Sequence, residues 1–237
     1  KRHGATSVQE FREAGYLPEA LLNYLALLGW SSGTDQDFWT LPELVEGFSL
    51  DKISRSPAVY DVDKLTWMNG HYIDLCDPDR LYSLLQGEAS SRHWPVQEHP
   101  DYFKQIISLV KSRAKTTRDI LEQADYFFQE PQYYDPKGVK KYFQKENSAF
   151  LLEKALELCS KCPDFKAFDL ENHLRLLAED LQVKAAELIH PIRLAISGRT
   201  NTPGLFEIME ILGRERCLAR LKKARAMVSS ADYKSAE

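Results

Sequence analysis

The sequence contains no long apolar run, and this absence argues against a membrane-spanning helix. Its longest apolar stretch, residues 20–30, is interrupted by Asn23 and falls short of the roughly 20 residues that cross a bilayer. The first residues lack the apolar core of a secretion signal. They also lack an initiating Met, so we expect either a fragment of a longer protein or a processed piece. We expect it in the cytoplasm, with the mitochondrial matrix as the alternative.

Cysteine is scarce, with four residues in a chain of 237, too few for a disulfide framework. Cys159 and Cys162 form a lone C-x-x-C pair, whereas a structural zinc site needs four ligands. No second pair exists, and Cys217, His173 and His190 are scattered along the chain. We therefore expect two reduced thiols and no metal site.

The chain also lacks an excess of positive charge. Its 31 basic residues face 35 acidic ones, giving a net charge of -4, which disfavours general binding of polyanions. Nucleic-acid binding would therefore depend on local basic clusters. The six histidines have no nucleophile or carboxylate at a telling spacing, so we predict no catalytic residue.

What the sequence does contain is helical patterning, above all after residue 76. Apolar spacing and proline punctuation predict a mainly α protein, with a small mixed domain followed by helical bundles. Pro191 falls inside one predicted helix, which should be kinked there or begin later. The predicted domains are residues 1–76, 77–132 and 133–237. Helices are expected near residues 78–87, 100–113, 116–128, 136–144, 147–161, 170–184, 185–197, 203–212 and 214–228.

Four stretches resemble one protein family in the same order along the chain. Residues 1–8 read K-R-H-G-A-T-S-V, which is similar to the end of the mobile K-M-S-K-S loop of class I aminoacyl-tRNA synthetases and its continuation in glutamyl enzymes. Residues 15–30, 48–70 and 193–221 are similar to later segments of the same family. The chain is identified as a member of the bacterial-type glutamyl-tRNA synthetases (glutamate–tRNA ligases).

The resemblance implies a function and a missing part. The family activates glutamate with ATP, with Mg expected, and transfers it to its tRNA. The nucleotide-binding half with the H-I-G-H signature is expected to be absent here. The remainder should comprise a stem-contact domain, residues 1–76, and two anticodon-binding domains. The implied partners are tRNA(Glu) and the missing catalytic half, and we expect a monomer.

The same resemblance assigns Lys1 and Arg2 to the loop that closes over ATP, and for Arg2 a solvated terminal charge is an equally consistent interpretation. In the family this lysine contacts the ATP phosphates, where a mobile ammonium stabilises developing charge. We expect the fragment alone to be inactive and to need no cofactor of its own.

Arginines and one loop are the candidates for anticodon contact. An arginine in the region of Arg113 helps the family to read the last anticodon base, and bidentate base reading suits arginine. An ion pair with a neighbouring helix is the alternative. Family resemblance also places contacts at Arg193 and at the loop that follows it, with a weaker candidate on an earlier helix. The loop residues are Thr202, Pro203 and Leu205, and the weaker candidate is Arg175.

A loop of this kind can offer backbone groups and an apolar side chain to an unstacked base. Alternatively it is a helix-opening turn, with Thr202 as the cap and Pro203 in the first turn. Both interpretations can hold together.

Two basic clusters and several aromatic residues can be explained without RNA contact, as solvated surface or as core packing. One helix projection places four cations in a stripe suited to phosphate contacts, although a solvated face is equally consistent. The last helix is basic, and we favour a solvated surface. The stripe consists of Lys104, Lys111, Lys115 and Arg118. The basic residues of the last helix are Arg214, Arg216, Arg220, Lys222, Lys223 and Arg225. Trp67 and Asn69 are assigned to packing of the stem-contact domain, and the core is expected to hold the aromatics Tyr126, Phe127 and Phe128.

Two other functions stay open. The net acidity favours a helical protein-interaction module without RNA binding, and the basic clusters oppose it. A paralogue that charges a different tRNA is the third possibility, because amino-acid specificity lies in the missing half.

Overall fold

The computed structural model describes residues 7–54 and 59–230, and regular structure in these ranges is almost entirely helical. The mainly α prediction is therefore confirmed. The described part of the mixed domain has one antiparallel bridge, between Trp30 and Ile53. Lys1 and Arg2 lie outside the described residues.

The chain divides into two compact units, Lys1–Glu122 and Gln123–Glu237. The domain boundaries expected near residues 76 and 132 stay predictions. The helices before the division are α1 (Val8–Glu13), α2 (Pro18–Gly29), α3 (Leu41–Gly47), α4 (Val62–Leu75), α5 (Pro78–Ser91) and α6 (Pro100–Val110). Helix α7 (Thr117–Phe128) includes residues from both sides of it.

In the second unit, the short α8 continues directly into a π-helical turn. The elements are α8 (Pro136–Gly138), the π turn (Val139–Phe143), α9 (Ser148–Lys161), α10 (Ala167–Asp180), α11 (Ala185–Ser197), α12 (Leu205–Leu212) and α13 (Arg214–Ser229). Helix α11 runs through Pro191 without interruption, so the later start considered for it is wrong.

Several helices begin where the sequence supplies an aspartate. The side chain of Asp61 accepts hydrogen bonds from the first turn of α4. Asp77 and Asp135 do the same for α5 and α8, each followed by a proline in the first turn. These side chains satisfy amide groups that a helix N-terminus leaves without internal partners.

One core cluster of the first unit forms between α2 and α4. Leu21, Tyr24, Leu65 and Met68 are its buried centre. Burial of these apolar side chains removes apolar surface from water, which is the main favourable contribution to folding. Trp67 is 46% exposed, and its ring packs against that of Phe38 with centroids 4.9 Å apart, so it packs at the edge of this core and not in its buried centre.

Asn69 ties three segments of this unit together. It is fully buried, and its Oδ1 accepts from the Leu17 amide at 2.8 Å. Its Nδ2 donates to the carbonyl oxygens of Gly15 at 3.2 Å and Lys115 at 2.6 Å. The amide side chain is thus satisfied in the interior, as a buried polar group must be, and the packing role predicted for Asn69 is confirmed.

In the second unit, α9 and α13 pack along one another, and α11 packs against both. Leu152, Ala155, Leu221 and Ala224 are fully buried there. The spacing of three residues within each pair places them on one face of each helix. Packing of α11 against these two helices fixes the position of its C-terminal end and of the loop that follows it.

Candidate functional site

The loop between α11 and α12 is held by one guanidinium group. Arg193, on α11, donates through Nη1 to the Pro203 carbonyl oxygen at 2.6 Å and to the hydroxyl of Thr202. Thr202 and Pro203 are both buried. The structure thus brings together three of the residues expected to contact the anticodon, and it does so through direct hydrogen bonds.

Leu205, the fourth residue of this group, faces the interior. Its side chain is 2% exposed, and it is the first residue of α12. The apolar contact with a base that was expected of this side chain therefore lacks the necessary exposure. The helix-opening interpretation is also wrong in detail, because Gly204 occupies the cap position and no side chain caps the helix.

An open cleft of about 470 Å³ borders the start of this loop, lined by residues 125–126, 129–133, 135 and 197–201. Arg199 pairs with Asp125 at 2.8 Å, and its guanidinium lies 5.7 Å from the centroid of the Tyr126 ring. The hydroxyl of Thr200 donates to Asp135 Oδ2 at 2.6 Å. This hydrogen bond is the largest cause that lowers the pKa of the Asp135 carboxyl.

Gly198 begins the loop in the left-handed region, with φ of +73°. Its amide donates to the Leu194 carbonyl, and its own carbonyl accepts from the Asp135 amide, each at 2.8 Å. A methyl group at this position would overlap the carbonyl oxygen of Tyr133. The loop is therefore fixed at its start by backbone geometry and near its end by Arg193. No sequence signal indicated the contribution of Arg199 or Thr200.

Arg175 lies on α10 with its side chain 55% exposed. It donates to Glu171 through Nε at 2.9 Å and Nη2 at 2.5 Å. Exposed pairs four residues apart on a helix stabilise it only by a few tenths of a kcal/mol, roughly 0.3–0.5. The guanidinium is accordingly accessible to a competing anion.

Arg113 belongs to the first unit, whereas the other described candidates belong to the second. It is exposed and ends a 3-10 turn, Lys111–Arg113, that follows α6. Arg113 thus lies at the end of its helical segment and not in the apolar interior.

The predicted stripe of four cations does not form on one helix. Helix α6 ends at Val110, and Ala114 has extended backbone, so helical projection fails beyond that point. Lys104 forms an ion pair with Asp79. Lys111 donates to the Cys76 carbonyl oxygen at 2.9 Å. Two of the four cations thus have partners within the protein.

The arginines of α13 act on neighbouring helix ends. Arg214 donates to the carbonyl oxygens of Cys162 and, at 3.0 Å, of Pro163. Arg216 donates to the Phe127 carbonyl at 2.7 Å. These carbonyls lie at or beyond the C-terminal ends of α9 and α7, where helices leave acceptors without internal partners. The expectation of a simply solvated helix is therefore wrong for these arginines.

Arg220 is the most deeply buried of them, at 2% exposure. Its Nη1 donates to the Ile196 carbonyl at 2.6 Å, its Nη2 to the Gln129 carbonyl at 3.0 Å, and its Nε to Glu130 at 3.2 Å. A buried guanidinium requires such partners. It links α13 to the last turn of α11, next to the candidate loop.

The cysteines are packed in the interior. Burial raises the pKa of the Cys159 thiol to about 12 and also raises that of Cys217. Within residues 7–54 and 59–230, no cluster of three or more His, Cys, Asp or Glu side chains is arranged to hold a metal ion. Neutral, buried thiols are poor metal ligands and nucleophiles.

Among the residues that the structure describes, no helix is both long and apolar enough to cross a membrane.

Comparisons with known proteins agree with this architecture. Residues 80–225 match the anticodon binding domain family, and residues 1–67 match the catalytic domain of the class I tRNA synthetases (E and Q). Part of the catalytic domain is therefore present, and the expectation that this half is wholly absent is corrected.

The similar proteins are bacterial glutamate–tRNA ligases. Ligase 1 of Syntrophomonas wolfei is 52% identical over 224 residues, which are 94% of this chain and 45% of that protein. Ligase 2 of Thermoanaerobacter pseudethanolicus is 46% identical over 225 residues, 94% of this chain and 47% of that protein.

A crystal structure of a glutamate tRNA ligase from Elizabethkingia meningosepticum, in complex with its amino acid, superposes with a TM-score of 0.85 at 28% identity. The match covers 95% of this chain and 45% of that one. The chain spans about half the length of the relatives it matches. The chain therefore belongs to the glutamate–tRNA ligase family and carries its anticodon-binding domain.

Proposed function

We propose that this chain is the tRNA-binding, anticodon-recognising part of a glutamate–tRNA ligase. The observation that carries the proposal is the match of residues 80–225 to the anticodon-binding family, within a chain 52% identical to such a ligase. The partner is tRNA(Glu), bound by a monomer. Because the relatives are bacterial, we place the protein in the cytoplasm.

The reaction of the longer protein is the ATP-dependent attachment of glutamate to its tRNA. ATP and Mg are its cofactors, and the remaining part of the catalytic domain is needed for activity. Lys1 and Arg2 contact the ATP phosphates in this proposal, since they occupy the end of the loop similar to K-M-S-K-S.

For anticodon contact we propose Arg113 in the first unit and the loop held by Arg193 in the second. The carbonyl oxygens of Thr202 and Pro203 accept from Arg193, so a base that approaches this loop meets groups already fixed in position. Such preorganisation limits the ordering cost of recognition. Arg175 adds a weaker electrostatic contact, and Leu205 supports the loop from the core.

The test is filter binding of the chain to a tRNA(Glu) transcript and to a copy with an altered anticodon, at low and moderate salt. Tighter binding to the native anticodon is expected, with affinity that falls steeply as salt rises because phosphate contacts release counterions. Salt-insensitive or negligible RNA binding would overturn the proposal. It would favour a protein-interaction module, the alternative that the net charge of -4 allows.

A further inference from the structure

A second basic surface lies on α8, the π turn and the segment that follows it. Residues 137–145 contain four lysines and no acidic residue. All four are exposed, and no ion pair is found for any of them within the described residues. We call them the lysine surface: Lys137, Lys140, Lys141 and Lys145. Unlike Lys104 or Arg220, none of these lysines is ion-paired to a carboxylate in the described part of the chain, although Lys141 lies 5.3 Å from the centroid of the Tyr142 ring and Lys137 interacts electrostatically with Asp135.

Two of these lysines converge on a small cavity. Lys141 and Lys145 line an opening of about 250 Å³ together with Tyr142 and His190. The rings of Tyr142 and His190 are stacked, with centroids 4.9 Å apart and planes inclined by 15°. The cavity therefore combines two ammonium groups with a flat aromatic wall.

The segment is held rigidly enough to present these groups. The Gln144 amide donates to the Val139 carbonyl at 3.1 Å, closing the π turn. The buried Ser148 donates its hydroxyl to the Tyr142 carbonyl at 2.7 Å. Phe143, 1% exposed, anchors the turn in the core. Single π turns inserted into helical structure occur frequently at functional sites.

The charge around the cavity is predominantly positive. The imidazole of His190 has a lowered pKa because of burial first and then the nearby cations Arg193 and Lys141. Arg193 therefore adds to the positive field from the side of the candidate loop. The one carboxylate lining the cavity is Glu187, which accepts from the Lys184 amide at 3.4 Å.

We infer that the lysine surface binds the phosphate backbone of RNA, in addition to the contacts of the anticodon loop. Lysine is a compact point charge that suits phosphate without demanding base geometry. An acidic protein partner would be expected to bury an apolar centre as well. No large apolar side chain between residues 137 and 147 is exposed, which favours a polyanion over a protein.

This inference rests on the proposed function, because the RNA in question is the tRNA bound by the anticodon-binding domain. It assigns to the lysine surface a contribution that does not depend on the anticodon sequence. The two can therefore be separated by comparing a native and an altered anticodon.

The experiment uses the whole chain with Lys140, Lys141 and Lys145 replaced by Gln. The control replaces Lys161, Lys222 and Lys223, which are also exposed and in the second unit, so that both variants lose the same charge. Binding to the native and anticodon-altered transcripts is measured from low to moderate salt. Thermal melting of both variants, compared with the unmodified chain, checks that the fold is retained.

The lysine-surface variant is expected to bind both transcripts about tenfold or more weakly at low salt, by the same factor. Its log–log salt dependence should flatten by about two units, the result of three lost phosphate contacts. The control variant should lose less affinity for both transcripts, and the slope of its salt dependence should change less, because its replaced lysines are not expected to contact phosphate. Equal behaviour of the two variants would overturn the inference, as would a loss confined to the native anticodon. Failure of the proposed function looks different, since the unmodified chain itself would then not distinguish the two transcripts.

Discussion

At the scale of single residues, backbone conformation and burial decide what each side chain can do. Gln182 and Gly198 both follow helices in the left-handed region, at φ of 56° and 73°. Only the second has the residue type that adopts this region without strain. Contacts and burial also decide the roles of two candidate residues. Arg193 fixes the candidate loop by hydrogen bonds, whereas Leu205 is buried and supports that loop from the interior.

Replacing Gly198 by Ala is expected to destabilise the chain by more than about 2 kcal/mol. The left-handed region costs a non-glycine residue roughly 1–2 kcal/mol, and the added methyl would overlap the Tyr133 carbonyl oxygen. Gln182→Gly should instead stabilise by up to about 1 kcal/mol, since the amide of Val183 already donates to Ala178 in a glycine-type helix ending. Urea unfolding of both variants measures this, and changes of the same sign would contradict it.

His190 should make stability depend on mildly acidic pH. Burial and the neighbouring Arg193 and Lys141 lower its pKa in the folded chain below the ordinary value of 6.5. The unfolded chain therefore binds the proton first as pH falls, so stability present above pH 6.5 is lost progressively below it.

The variant His190→Phe retains the ring stack on Tyr142 but cannot be protonated. It should therefore lose less free energy of unfolding between pH 7 and pH 5 than the unmodified chain. Urea titrations at the two pH values provide the comparison. An identical loss in both proteins would show that His190 does not contribute.

At the scale of elements, helix ends are completed by side chains from other helices. The Ala167 amide, which begins α10, donates to Glu210 on α12 at 2.7 Å. This contact explains why α10 begins three residues before the predicted position of 170. At the C-terminal ends of helices, Arg214, Arg216 and Arg220 donate hydrogen bonds to backbone carbonyl oxygens. The contacts that pack the helices of the second unit together therefore also provide hydrogen-bond partners for amide and carbonyl groups at the helix ends.

Replacing Arg220 by Met is expected to cost about 3–5 kcal/mol, as when one partner is removed from a buried charged network. The carbonyl oxygens of Ile196 and Gln129 would lose their donors. Lys222→Met, on the same helix but exposed, should change stability by less than about 0.5 kcal/mol. Chemical denaturation tests the pair, and a similar small cost for both would refute the bridging role of Arg220.

At the scale of the whole molecule, the proposed function assigns anticodon contacts to both compact units. Arg113 lies in one and Arg193 in the other. Each would add a separate contribution to the same RNA, so recognition depends on residues far apart in sequence. The lysine surface supplies affinity without specificity.

Arg113→Ala should weaken binding of the native anticodon by roughly 5- to 150-fold, the range that corresponds to about 1–3 kcal/mol for a bidentate base contact. Binding of the altered anticodon should change little. Arg113→Lys should behave similarly, because an ammonium cannot reproduce the planar fork. Arg118→Ala, an exposed position in the same unit, is the control. A uniform loss with both transcripts would assign Arg113 to the phosphate backbone instead.

The sequence by itself determined the features that depend on near neighbours. The helix starts at Asp77 and Asp135 follow from an aspartate with a proline directly after it, and the start at Asp61 follows from the aspartate alone. The mainly helical class follows from apolar spacing over single segments. Family membership followed from ordered motifs, and the comparisons confirmed it.

Only the tertiary structure decided which cations are available to a ligand. A sequence pattern shows charge but not distance, so Lys104 and Arg220 resembled surface cations until Asp79 and the Ile196 carbonyl were found beside them. The stripe through residues 104–118 failed because the backbone leaves the helix after Val110. Burial of Leu205 likewise depends on segments that meet only in the folded chain. Long-range contacts, which local periodicity does not encode, separate the structural arginines of this protein from the exposed lysines of residues 137–145.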